Sequence, residues 1–212
     1  MNIMYKKLFK RLFDLFAVAV SAILLFPAFL CLALCVRIGI GSPIFFRQMR
    51  RGLNGKPFML WKFRTMTNNC DEAGNLLPDS ARLTALGRLL RRFSLDELPE
   101  LINVLKGDMS LIGPRPWLMR YYAYFRENER MRFTVRPGIT GLAQVSGRNN
   151  LSWDDRIALD LEYVNKCALS TDLHILVMTL WKCLSQEGLH VDPGAVMADF
   201  DEERKRLLKD GN

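Results

Sequence analysis

The chain is poor in the residues that build histidine metal centres and disulfide frameworks. It has only His174 and His190 among 212 residues, which excludes a histidine-rich metal site. Its five cysteines (Cys31, Cys35, Cys70, Cys167 and Cys183) are odd in number and lack Cys-x-x-Cys spacing. That usage reads as reduced and structural, on the cytosolic side of a membrane. Acid is also short: 22 Asp and Glu face 30 Lys and Arg, for a net charge of +8. Such a chain selects anionic partners, whether nucleic acid, phosphorylated small molecules or an acidic membrane face.

What the chain has in excess is apolar sequence. Residues 12–36, LFDLFAVAVSAILLFPAFLCLALCV, are long enough to cross a bilayer. Pro27 in the middle removes a backbone hydrogen bond and kinks a helix. Both flanks are basic, with Lys6, Lys7, Lys10 and Arg11 before and Arg37, Arg47, Arg50 and Arg51 after. A single crossing calls for one basic and one non-basic flank. Two basic flanks fit a segment that enters, bends at Pro27 and returns to the same side. An ordinary single-pass helix is the alternative, since proline is tolerated in such helices.

The remainder divides into short elements. Residues 44–66 alternate around RGLNGKP and predict a β-hairpin turning at Asn54-Gly55. Residues 81–93 carry leucines and Phe93 at helical spacing with four arginines, a helix suited to anionic lipid, to phosphate or simply to solvent. Further helices are expected over 98–106, 117–132, 153–167 and 172–184, and residues 199–209 as a charged helix or a disordered tail. The whole reads as α+β and mostly helical. It divides into residues 1–40 (basic start and membrane helix), 41–198 (catalytic domain with amphipathic interfacial helices and the hairpin) and 199–212 (charged tail).

The run SLDELPEL, residues 94–101, sets Asp96 beside Glu97. Ser94 with Glu97 matches a capping box, and Asp96 as cap would place Pro99 in the first turn. Either register explains the acidic pair without chemistry. A carboxylate at a helix start is also held ionised by the dipole and free N–H groups, which makes a competent nucleophile. Cations stand beside turns elsewhere: Lys62 and Arg64 in KFR, Arg115 in PRP, Arg136 before PGITG and Arg148 after SG, with Arg91 in the arginine-rich helix. Arginine and glycine-rich turns suit oxyanions, so the set suggests phosphoryl transfer.

In order along the chain, KRLFDLFAV with its proline-broken apolar run, GSPIFFRQMRRG, FMLWKFRTM, SLDELPELINVLKGDMSLIGPRP and VRPGITGLAQVSGRN resemble the bacterial sugar transferases. These are monotopic polyprenyl-phosphate phosphoglycosyl transferases, and the short chain resembles their minimal form. Within the family the pattern looks like the branch that handles N,N'-diacetylbacillosamine. The resemblance implies a re-entrant helix broken at Pro27 at the cytoplasmic face of a bacterial inner membrane. The family break can be Ser-Pro, whereas this chain has Phe26-Pro27. It implies Asp96 and Glu97 as catalytic pair, both as Mg²⁺ ligands, and transfer of a sugar-1-phosphate from a UDP-sugar to undecaprenyl phosphate through an aspartyl intermediate. Lys62, Arg64, Arg91 and Arg115 are candidates for the diphosphate, and Arg136 and Arg148 for the nucleotide side. Trp153 is a candidate for stacking on uracil, with a buried structural role as the simpler reading. Sugar specificity is expected near residues 186–191. Membrane lipid is a partner and nucleic acid is not; downstream glycosyltransferases and a second copy of the chain are open partner classes. The rivals are a membrane-tethered phosphohydrolase and a non-catalytic basic binding module.

Overall fold

The computed structural model describes residues 5, 9–147, 151–185 and 198–210. Helix α1 (Lys10–Gly39) is the one described helix long and apolar enough to cross a membrane. The helix extends across Pro27 as far as Gly39, so it runs past the proline instead of stopping there. Its two ends pack on one and the same domain. Val18 joins Phe58, Leu60, Val104 and Met109, while Val36 joins Phe63 and Leu90. Between those anchors, residues 22–28 are exposed on every side. Polar contacts reinforce the first anchor: Arg11 donates to the carbonyls of Val104 and Leu105, and Asp14 accepts from Ser110 Oγ and Leu111 N–H.

The hairpin forms as expected from β1 (Phe45–Arg51) and β2 (Pro57–Phe63), antiparallel with Phe46 opposite Lys62. Asn54 and Gly55 both take positive φ, 53° and 71°, which suits this turn to those residue types. The free edge of β2 is covered by helix α4 (Glu100–Lys106) through one side chain. The Asn103 amide accepts from Trp61 N–H at 3.1 Å and donates to the Met59 carbonyl at 2.7 Å. A fully buried asparagine thus stands in for a third strand and fixes the register of β2 on α4. Gly107, with φ 87°, ends α4.

Three expectations need correction. The helix foreseen over 81–93 is two: α2 (Asp79–Arg82) and α3 (Ala85–Arg92), the second started by Thr84, whose hydroxyl accepts from Gly87 N–H. The helix foreseen over 117–132 is two 3-10 stretches, Met119–Tyr124 and Asn128–Thr134. Packing overrides helical spacing there, because Trp117, Tyr121, Phe125 and Phe133 crowd around Phe200 in one aromatic cluster. Finally, a second sheet is present beside the hairpin: β3 (Ser110–Ile112) runs parallel to β4 (Gly138–Thr140).

That second sheet joins the two Gly/Pro-rich segments. Gly113 N–H donates to Thr140 O and Gly138 N–H to Pro114 O, so these amides serve each other and are not aimed at an oxyanion. A Cβ on Gly138 would lie 2.1 Å from Gly113 N, so the close approach requires glycine. Helices α5 (Leu142–Ser146), α6 (Trp153–Lys166), α7 (Leu169–Ser185) and α8 (Phe200–Asp210) complete the described chain. Asp172 of α7 is fully buried and accepts from Tyr5, Lys10 and Tyr163, which ties the start of α1 to α6 and α7. Phe200, also fully buried, seats α8 against the aromatic cluster.

Candidate active site

A cleft of about 1270 Å³ opens beside the hairpin, lined by β1 and β2, the loop after β2, α3 and the turn before α4. Lys62, Arg64, Arg91, Asp96, Glu97 and Arg115 all line it. Four separate stretches of sequence therefore converge on one cavity.

Each cation has a local reason for its place. Lys62 lies near the end of β2, between Glu97 and Glu100, at 2.5 Å and 3.2 Å. Those two glutamates are three residues apart, so they share one face. Arg115 reaches Glu97 Oε1 at 2.7 Å from the turn after β3, and its own carbonyl is held by Arg132, which is paired with buried Asp160. Arg91 donates to Thr65 Oγ1 at 3.1 Å, and Arg64 donates to the carbonyls of Met66 and Ser42.

The acidic pair is not a helix cap. Ser94 is left-handed, with φ 55° and no side-chain cap bond, and Leu95–Glu97 is a 3-10 turn. Helix α4 starts at Glu100, directly after Pro99, whose preset φ of −63° leads into the helix and which leaves no N–H to satisfy. Neither Ser94 nor Asp96 caps α4, so the capping reading fails. A left-handed non-glycine residue costs on the order of 1–3 kcal/mol and is found mostly where function fixes the backbone. Here it turns Asp96 into the cleft.

Neighbouring carboxyls are driven apart in proton affinity. Burial raises Asp96, and the charge of Glu97 adds to this against the pull of Lys62, Arg91 and Arg115. Burial also pushes Glu97 upward, but Arg115 and Lys62 outweigh it and bring Glu97 down to about 2. Glu100 is pushed up to about 7 by burial and by the charge of Glu97. Glu97 is thus a clamped ion. Asp96, only 8% exposed, has no hydrogen bond or ion pair to any described residue.

Among the described residues no cluster of three or more His, Cys, Asp or Glu forms a metal cage. Mg²⁺ asks for less: it is commonly held by one or two carboxylates together with substrate phosphates and water. The unpaired Asp96 carboxylate and the second oxygen of Glu97 fit that donor set, since Lys62 and Arg115 occupy only Oε1.

Other candidates fall elsewhere. Arg136 does not line this cleft; it donates to the Gly107 carbonyl at 2.8 Å and braces the end of α4. Trp153 packs edge-on against Trp117 and donates its indole N–H to Ala198 O, the structural role. Arg148 and residues 186–191 lie outside the described residues. Sequence reasoning missed Glu100 and Arg50. The three-residue spacing from Glu97 marks the first, and the hairpin alternation, which sets Arg50 on the face of Phe46 and Lys62, marks the second.

The family model described as bacterial sugar transferase matches residues 5–186. The uncharacterized sugar transferase EpsL of Bacillus subtilis (strain 168) is 52% identical, over 85% of this chain and 89% of that one. The exopolysaccharide production protein ExoY of Rhizobium meliloti (strain 1021) is 37% identical, covering 84% and 86%. The UDP-glucose:undecaprenyl-phosphate glucose-1-phosphate transferase of Escherichia coli (strain K12) is 37% identical over 83% of this chain. The chain spans only 40% of the length of that last relative. Ordered motifs, a converged cleft and a family match over nearly all of the described chain make this protein a member of the bacterial sugar transferase family.

Proposed function

We propose that the chain transfers a sugar-1-phosphate from a UDP-sugar to undecaprenyl phosphate at the cytoplasmic face of a bacterial inner membrane. The observation that carries this reading is Asp96: a buried, unpaired carboxylate in a cleft with Lys62, Arg64, Arg91 and Arg115. Cations that hold a diphosphate and a carboxylate that attacks phosphorus are the parts this reaction needs.

The chemistry divides the two acids. Nucleophilicity rises with basicity, and Asp96 is raised where Glu97 is lowered to about 2. Asp96 therefore attacks the sugar-proximal phosphorus; a phosphorus–oxygen bond forms, the bond to the bridging oxygen breaks, and UMP leaves with the electron pair. A lipid phosphate oxygen then attacks the same phosphorus and Asp96 departs as carboxylate. Neither step requires a proton. Glu97 keeps Lys62 and Arg115 in place in the lining of the cleft. Mg²⁺, held by Asp96 and Glu97 with the diphosphate oxygens, would supply further neutralisation of charge.

The membrane segment fits the same scheme. Both ends of α1 pack on the catalytic domain while residues 22–28 between them are exposed, which supports a re-entrant helix with both ends cytoplasmic. Such an anchor keeps the cleft at the interface, where a soluble donor meets a lipid acceptor. The donor named for the Escherichia coli relative is UDP-glucose, whereas the sequence resembles the diacetylbacillosamine branch. A UMP-release screen therefore includes both donors, with undecaprenyl phosphate in detergent. Lipid-dependent UMP release with one donor is expected. Sugar-phosphate hydrolysis without lipid dependence would favour a phosphohydrolase, and no release from any UDP-sugar would end the transferase reading.

A further inference from the structure

Arg50 differs from the arginines of the domain that are paired with carboxylates. Arg132 pairs with Asp160, Arg204 with Glu129, and Arg115 with Glu97. Arg50 lines the cleft yet is in ion-pair contact with no described carboxylate. Its partners are neutral oxygens: Gln48 Oε1 at 2.6 Å and the Pro116 carbonyl at 3.3 Å. Its Nε is buried without any partner. The position is rigid, because Arg50 forms a β-bridge with Leu118 and the next amide, Arg51 N–H, donates to Trp117 O. This places Arg50 against the turn that carries Arg115.

Two guanidinium groups thus flank one turn, and only one of them has a carboxylate. Burial, then the Arg115 charge, lowers the proton affinity of Arg50 to about 10. Glu97 is already shared by Lys62 and Arg115, and Glu100 is held by Lys62, so neither glutamate is spare for this corner. A half-buried cation with that environment is costly unless an anion arrives to neutralise it.

We propose that Arg50, oriented by Gln48, is a second phosphate anchor of the cleft and takes an oxyanion of the phosphoryl substrate beside Arg115. The anion is a phosphate oxygen of either the donor diphosphate or the lipid phosphate. Only the choice between these sources rests on the proposed transfer reaction; the anion site itself does not. Arg51, whose Nε is likewise buried without a partner, does not line the cleft. It donates to Gly55 O and lies 4.5 Å from the Tyr122 ring centroid, so it braces the hairpin turn.

Thermal shifts of the full-length protein in detergent with inorganic pyrophosphate test the anion site without any turnover. Arg50→Gln is expected to weaken pyrophosphate binding on the order of 10- to 100-fold, the loss of one charge-assisted contact. Without pyrophosphate its melting temperature should equal or exceed that of the wild type, since an uncompensated cation is gone. Gln48→Ala should weaken binding several-fold, Arg50→Lys should restore part of it, and Arg51→Gln should lower the melting temperature while leaving pyrophosphate binding unchanged. Labelled sugar-phosphate transfer onto the protein without lipid then identifies the source. Slowing by Arg50→Gln there points to the donor, and slowing only of the lipid-dependent step points to the acceptor. Either outcome supports the anchor. A wild type that gives no pyrophosphate shift, an Arg50→Gln shift equal to that of the wild type, or a lowered melting temperature of Arg50→Gln alone would overturn it. A wild type that binds pyrophosphate but acquires no sugar phosphate would instead count against the proposed function.

Discussion

Replacing Asn103 by alanine separates the frame of the site from its chemistry. The Asn103 amide satisfies Trp61 N–H and the Met59 carbonyl on the free edge of β2, and its side chain is fully buried. Alanine leaves both backbone groups without partners, at about 1–2 kcal/mol each, so the loss should be about 2–4 kcal/mol. Asn103→Asp should be at least as damaging. It still accepts from Trp61 N–H, but it sets a carboxylate against the Met59 carbonyl and Asp108. Equilibrium urea unfolding in detergent micelles measures the loss. Activity of the still-folded fraction should fall as well, because Lys62 follows Trp61 directly and loses its register against Glu97 and Glu100. A loss under about 1 kcal/mol with activity intact would refute the claim that this amide fixes β2 on α4.

Three further outcomes are expected. Glu100, raised to about 7 from an unfolded value near 4.5, favours the fold while protonated; that contribution is complete below the unfolded value and is lost as pH rises through about 7. Glu100→Gln should therefore out-stabilise the wild type at pH 8, with the advantage vanishing by about pH 4, as followed by thermal melts across pH. Asp172→Asn strands buried Lys10 and should cost about 3–5 kcal/mol in the same unfolding assay, whereas a change under 1 kcal/mol would contradict the hub. In a cysteine-free background, Phe9→Cys and Ser42→Cys should both label only from the cytoplasmic side; labelling from opposite sides would mean a single crossing.

The sequence was most legible where a single element decides its own form. The apolar run of α1, the Asn54-Gly55 turn and the glycine stop of α4 follow from local chemistry, and the structure contains all three. It was least legible where tertiary packing wins. Trp117, Tyr121 and Phe125 have helical spacing, yet aromatic crowding against Phe200, almost 80 residues away, yields 3-10 turns. The SLDELPEL run had a sound reading as a helix start, and only the left-handed Ser94 and the onset of α4 at Glu100, after Pro99, displace it. Basic residues beside turns singled out Lys62, Arg64 and Arg115, and the arginine-rich helix supplied Arg91; the structure brings all four to one cleft. The same rule selected Arg136, which lies outside that cleft and donates to the Gly107 carbonyl, because charge and turn chemistry do not say which way a side chain points.

The central claim is that Asp96, and not the clamped Glu97, bonds the phosphate. Incubating the purified protein with a UDP-sugar labelled at the sugar-proximal phosphate, without lipid acceptor, tests it directly. The account predicts a labelled wild-type protein that loses its label when undecaprenyl phosphate is added, and no label on Asp96→Asn. An Asp96→Asn protein that still acquires sugar phosphate would contradict it.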